Sequence, residues 1–121
     1  MQNGSALQFA IELARIAQDH KVENLVALDL RGISSVTDFV ILGTGTSDRQ
    51  MRAVADRLVE YGKKLGQNPF GVAGREHAAW ILVDFVDVVF HVFTPQCRDY
   101  YDLELLWGDA PRIEWSRSET A

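Results

Sequence analysis

The stretch VTDFVIL, from Val36 to Leu42, is rich in β-branched and apolar residues and shows little alternation of apolar with polar positions. A strand with one wet face alternates, whereas a run like this one belongs inside a sheet covered on both faces. GTGTSDRQ follows directly, and then MRAVADRLVEYGKKL, whose apolar residues recur at helical spacing. Strand, glycine-rich turn and amphipathic helix in this order predict an α/β fold with a mixed sheet flanked by helices.

The rest of the chain fits that frame. A first helix is expected over 6–19, with Ser5 as N-cap and Gln8 at the reciprocal capping-box position. Leu7, Ala10, Ile11, Ala14 and Ala17 form its stripe, widened by Phe9, Leu13 and Ile16. Leu25–Leu30 reads as a short buried strand, and Arg31-Gly32 with Ser34-Ser35 punctuates the turn into Val36–Leu42. The second helix spans 48–65 and buries Met51, Val54, Ala55, Leu58, Gly62 and Leu65, with Gly66 as its C-terminal cap. A loop with a short edge strand near Phe70–Val72 leads to AWILVDFVDVVFHVF, an antiparallel hairpin turning at Phe85-Val86. Pro95 ends the second hairpin strand, and a third helix over 98–107 precedes a loose tail. The order is α-β-β-α-β-β-α, with the second strand, the long helix and the following strand forming a right-handed crossover. Residues 1–110 make one domain and 111–121 a C-terminal tail.

Charge and cysteine content narrow the function classes. Twelve basic against 17 acidic residues give a net charge of -5, which argues against a phosphate backbone as main partner. From Pro95 onward Asp99, Asp102, Glu104, Asp109, Glu114 and Glu119 outnumber Arg98, Arg112 and Arg117. Such a surface suits a basic protein partner, or serves solubility alone. One cysteine, Cys97, forms no internal disulfide. Neither a signal peptide nor a bilayer-length apolar run is recognisable, so a cytoplasmic location is expected.

GTGTS resembles a phosphate loop, but no lysine follows its last glycine, and Asp48 stands where the dinucleotide fingerprint needs a small residue. An aspartate there repels phosphate and takes the positive helix end for itself. Thr46 or Ser47 can cap the helix, and Ser47 with Gln50 fits a capping box, so the loop reads as a strand-to-helix turn. A nucleotidyltransferase reading would use Asp84 and Asp87 as metal ligands. They are three apart and flank the hairpin turn, where Asp84 is better placed to bond backbone amides, with Arg75 available to neutralise one of the pair. His20, His77 and His91 lack zinc-site spacing, and Cys97 with His91 lacks a third catalytic member.

His91 stands out within VVFHVF. By alternation it shares a side with Asp87, Val89 and Phe93, while Trp80, Leu82 and Asp84 share one side of the preceding strand. If those sides coincide, one sheet face displays Trp80, Asp84, Asp87 and His91. Two readings stand: a satisfied, half-buried histidine, or a tryptophan-centred protein-binding face.

ALDLRGISSVTDFVILGTGTSDRQ, GVAGREHAAWILVDFVDVVFHVF and RDYYDLELLWGDA, in this order and spacing over about residues 6–110, resemble the ribosomal silencing factor family, also called Iojap-like. The resemblance implies a nucleotidyltransferase-like topology without the catalytic acids, and hence no enzymatic activity, cofactor or metal. It implies binding to the large ribosomal subunit through the ribosomal protein numbered fourteen, on the face that meets the small subunit. Steric block of subunit joining, and lower translation when nutrients are scarce, would follow. Some relatives act in large-subunit assembly, and some dimerise when free; direct nucleic-acid recognition and membrane binding are not expected. Carried across residue by residue, the interface falls first on Trp80, then on Tyr101 and Leu105, with Asp84 and His91. Trp107 is assigned to packing, and Thr37, Asp38, Thr44, Thr46 and Ser47 to shaping turns. Relatives usually carry glycine where this chain has Val86, and glutamate where it has Ala73.

Overall fold

The computed structural model describes the backbone of residues 3–117 and the side chains of residues 6–117. Its elements are α1 (Asn3–Asp19), β1 (Glu23–Asp29), β2 (Phe39–Thr44), α2 (Asp48–Lys64), β3 (Gly71–Ala73), β4 (Trp80–Asp84), β5 (Val88–Phe93), α3 (Pro95–Tyr101) and α4 (Leu103–Leu106). Five strands form one sheet in the order β1-β2-β5-β4-β3. Only β2 and β5 are parallel; the other neighbours are antiparallel. β3 therefore runs in the direction of β2, with the β4–β5 hairpin folded back between them. The parallel partner of β2 is β5, and β3 and β4, which come between α2 and β5 in sequence, lie further out.

Every residue of β2 is buried, as its lack of alternation predicts. On one face Phe39, Ile41, Ile81, Val83, Phe90 and Val92 pack under α1 and α2. On the other, Val40, Leu42 and Phe93 join Val26, Leu28, Leu30 and Ala110 in a smaller cluster. The strand starts three residues later than its apolar run, because the Ser34 hydroxyl accepts from the amides of Val36 and Thr37 and holds them in a bend. β1 and β3 are displaced from their expected bounds by one or two residues.

Local chemistry explains the helix ends. Helix α1 begins at Asn3, so Ser5 lies within its first turn instead of ahead of it, and the Ser5 side chain falls outside the described residues. Its buried stripe centres on Phe9, Ala10, Leu13 and Ala14, with Leu7 and Ile11 only half-buried. At the start of α2 the Gln50 amide donates to Ser47 Oγ at 3.0 Å. The Gln50 carboxamide oxygen takes the Thr46 amide at 3.0 Å, and its nitrogen donates to the His20 carbonyl at 2.9 Å. The far end closes on Gly66 at φ +76°, with its amide on Lys63 O and the Gln67 amide on Gly62 O. Leu65, expected in the buried stripe, caps the helix instead and is exposed.

The expected third helix is two. Asp102 adopts a left-handed conformation, φ 42°, which ends α3 and starts α4; aspartate is one of the few residues that tolerate it. Pro95 stops β5 and opens α3, whose N-cap Thr94 accepts from the Cys97 amide. Residues 111–113, expected to be loose, lie along the outer edge of β1. The Asp29 amide donates to Pro111 O and the Ile113 amide to Ala27 O, both at 2.8 Å. Ile113 and Trp115 pack against the larger core. The tail thus covers a strand edge that would otherwise offer unpaired backbone groups.

The hairpin turn is tight. The Asp87 amide donates to Phe85 O across Val86, and the Val86 amide donates to Asp84 Oδ1 at 2.7 Å. Val86 consequently sits at φ +74°, a costly conformation for a β-branched side chain. Strain of about 1–3 kcal/mol at such a residue exceeds the extra entropy glycine would lose, and the side chain is 52% exposed, so little packing depends on it. Val86→Gly is therefore expected to stabilise the protein by about 1 kcal/mol and raise the melting temperature by about 3–5 °C. A lower melting temperature in calorimetry would refute the strain.

Candidate functional site

On the smaller-core face of the sheet, β4 and β5 pair Trp80 with Phe93, Leu82 with His91 and Asp84 with Val89. The sides carrying Trp80, Asp84 and His91 therefore coincide. The Trp80 indole donates from Nε1 to His91 Nδ1 at 3.0 Å, which leaves the remaining ring proton on Nε2. His91 is 6% exposed. Burial drives its pKa down to about 4, against a weaker upward pull from the Asp84 carboxylate. At neutral pH the indole thus has an uncharged acceptor.

Around this bond the aromatics form a continuous group. Trp80 lies 5.0 Å from both Phe93 and Tyr101, centroid to centroid, and His91 stacks nearly parallel to Phe93 at 5.8 Å. Tyr100 meets Tyr101 edge-on at 4.9 Å. Trp80 is half-buried, while Tyr101 and Tyr100 are exposed. The group has an apolar floor and an open outer edge.

The other site residues suggested by the sequence scatter around it. Asp84 lies at the hairpin end of the same face, holding the Val86 amide. Leu105, on α4, is 78% exposed and lines a separate groove of about 380 Å³ with Ile33, Leu106 and Trp107. Trp107 packs partly against the smaller core and caps α4, as expected. Asp87 is in the turn, where its carbonyl takes the Asp38 and Phe39 amides. Arg75 pairs with Asp56 at 2.7 Å, not with either hairpin aspartate.

The GTGTS loop is shaped by sterics. A Cβ on Gly43 would collide with Val22, and one on Gly45 with Met51. Its glycines allow close packing, and Asp48 occupies the first turn of α2. Among the described residues no group of three or more His, Cys, Asp or Glu lies close enough together to hold a metal ion.

Sequence reasoning missed Arg98. Its side chain is only 13% exposed, paired to Glu104 at 2.8 Å, and bonded to Thr44 Oγ1 and the Asn24 carbonyl. The only sequence signal was Thr44, a polar residue closing an apolar strand.

The histidine makes stability depend on pH. Its folded pKa lies below the ordinary 6.5, so the stability it contributes is complete above pH 6.5 and is lost as pH falls toward about 4. The full span corresponds to about 3 kcal/mol. Urea unfolding at pH 7, 5.5 and 4.5 should show the wild type losing its advantage over His91→Gln as pH falls. A difference that stays constant with pH would refute the assignment.

Residues 3–121 match the family model described as "Ribosomal silencing factor during starvation". The ribosomal silencing factor RsfS of Halalkalibacterium halodurans is 41% identical over 114 residues, covering 94% of this chain and 95% of that one. A crystal structure of a Chromobacterium violaceum protein superposes with a TM-score of 0.80 at 35% identity, covering 98% of this chain and 95% of that one. The mouse protein named "Mitochondrial assembly of ribosomal large subunit protein 1" is 36% identical over 74 residues, 59% of this chain and 32% of that one. A mixed five-stranded sheet flanked by helices, joined to these matches over most of the sequence, makes this chain a member of the ribosomal silencing factor family.

Proposed function

We propose that this protein binds the large ribosomal subunit through the ribosomal protein numbered fourteen, on the face that meets the small subunit, and blocks joining by occupying that space. The action is steric and involves no reaction. A factor that binds the separated large subunit shifts the joining equilibrium by mass action, which lowers translation when nutrients are scarce. Its place of action on this reading is the cytoplasm.

The observation that carries the proposal is the open aromatic edge at Trp80 and Tyr101, in a chain of this family. Tryptophan and tyrosine are the residue types that most often anchor protein interfaces. The adjoining α3–α4 segment and the turn after it add Asp99, Asp102 and Asp109, which have no ion-pair partner among the described residues. An apolar centre with an acidic margin suits a basic protein partner. Asp84, His91 and Leu105 belong to this proposed surface, His91 as the support of Trp80 and Leu105 at its α4 end.

A second role, in assembly of the large subunit, is favoured by the name of the mouse relative and would use the same surface. Accumulation of immature large subunits in a deletion strain would favour it. Exposed Tyr100, Leu105 and Leu106 would also pair two free copies, which sedimentation of the isolated protein tests.

The direct test follows light scattering as small subunits are added to large subunits preincubated with the protein. Wild type should suppress joining. Trp80→Ala, and Tyr101→Ala with its exposed ring, should weaken large-subunit binding by about 30-fold, the scale of losing an interface anchor. Circular dichroism of both variants separates lost contact from lost fold. A wild type that neither sediments with large subunits nor slows joining would overturn the proposal.

A further inference from the structure

The segment carrying Tyr101 and Leu105 is poorly anchored by packing. Neither α3 nor α4 contains a fully buried residue; Cys97 and Leu103 pack only partly against the smaller core. Between this segment and the ends of β1 and β2 lies a polar cleft of about 440 Å³, lined by Asn24, Thr44, Pro95, Arg98, Asp102 and Glu104. One side chain crosses it. Arg98 Nη1 donates to the Asn24 carbonyl at 2.7 Å and to Thr44 Oγ1 at 2.9 Å. From the same guanidinium, Nη2 and Nε donate to Glu104 Oε1 at 2.8 and 3.2 Å.

We infer that Arg98 is a positioning residue that latches α3–α4 to the sheet and so holds Tyr101 against Trp80. The latch is built from both sides of the cleft. Its sheet side is the bulge of β1, where Asn24 at φ 50° turns its carbonyl to the cleft, together with the last residue of β2. Its outer side is Glu104 on α4, brought back to Arg98 by the left-handed turn at Asp102. The guanidinium spreads its donors over three nitrogens, so that Nη1 serves the carbonyl and hydroxyl while Nη2 and Nε serve the carboxylate, a span that the single nitrogen of a lysine does not cover. The latch also gives Thr44 of the GTGTS motif a task that neither the capping of α2 nor the steric need for glycine requires of it.

This inference rests on the proposed docking role for its consequence. A surface fixed before the partner arrives binds more tightly, because the apparent dissociation constant rises as the competent fraction falls. Without the latch, α3–α4 would leave the sheet for part of the time, and Tyr101 would leave Trp80 with it.

Hydrogen exchange and large-subunit sedimentation on Arg98→Ala, Arg98→Lys and Thr44→Val test it. Amides of residues 96–107 should exchange at least tenfold faster in both Arg98 variants, with those of β2 and β5 unchanged. Lysine keeps the charge without the fork and should not rescue; Thr44→Val, losing one acceptor, should fall between wild type and Arg98→Ala. Affinity for the large subunit should drop about tenfold in step with exchange. Unchanged exchange over residues 96–107 overturns the latch; faster exchange with full affinity overturns its contribution to docking. If wild type does not bind the subunit, the docking proposal fails and exchange alone decides the latch. Should Arg98→Ala fail to fold, Arg98→Lys and Thr44→Val carry the measurement.

Discussion

A central strand buried on both faces sets the terms for the remainder of the chain. All six residues of β2 are buried, so the sheet must be covered twice, yet the described residues form only two long helices. Both lie on the same face, over Phe39, Ile41, Phe90 and Val92. The opposite face is left to short pieces: α3, α4 and the residues around Trp107 and Ala110. That cover closes only partly over the Trp80 end of β4, where Tyr101 meets the indole but leaves it half-open. The candidate site is thus a consequence of how short the elements of the second layer are.

The two layers are held by different physics. Under α1 and α2 the fit is steric: Gly43 makes room for Val22, Gly45 for Met51, and Gly62 for Phe85, whose ring meets Phe9 edge-on at 4.9 Å. Close-packed contacts of this kind resist change in either direction. The second layer is tied by polar groups as much as by packing, through Arg98, Glu104 and Thr44 and through the tail amides on the β1 edge. Hydrogen bonds to charged groups contribute about 1.5–3 kcal/mol each, enough to place a segment without a dry core of its own. A docking surface built this way can be ordered and still present apolar residues to solvent.

Much of this was legible in the sequence. The doubly buried strand, the stripe of α2 apart from Leu65, the glycine at its end, the Ser47 cap with Gln50, and the hairpin at Phe85-Val86 all arise from local periodicity or turn chemistry. The shared face of Trp80, Asp84 and His91 followed from strand alternation once the hairpin was placed, whereas Asp87, expected on that face, stays in the turn. What escaped the reading was non-local. Nothing near Arg112 signals that residues 111–113 lie on β1, since that depends on an open strand edge some 80 residues earlier. The break at Asp102 and the Arg98 network depend on what stands across the cleft. At Val86 the backbone bonds across the hairpin impose a positive φ and load the strain on valine.

The choice of histidine beneath Trp80 follows from the same economy of cover. A half-buried indole N–H needs an acceptor, because an unpaired donor at that depth costs about 1–3 kcal/mol. A carboxylate at position 91 would supply one but would have to lose its hydration among Phe93, Leu82 and Val89, a larger penalty. An imidazole whose pKa is held near 4 accepts through Nδ1 without carrying charge at neutral pH. It also stacks on Phe93 as an aromatic. Charge is thereby kept off the centre of the aromatic face and left to Asp84 at the hairpin end and to Asp99 and Asp102, which flank the two tyrosines in sequence. An uncharged, fully satisfied centre with an ionised margin loses little when its water is stripped away, and that loss is the main electrostatic obstacle to burying a surface against another protein.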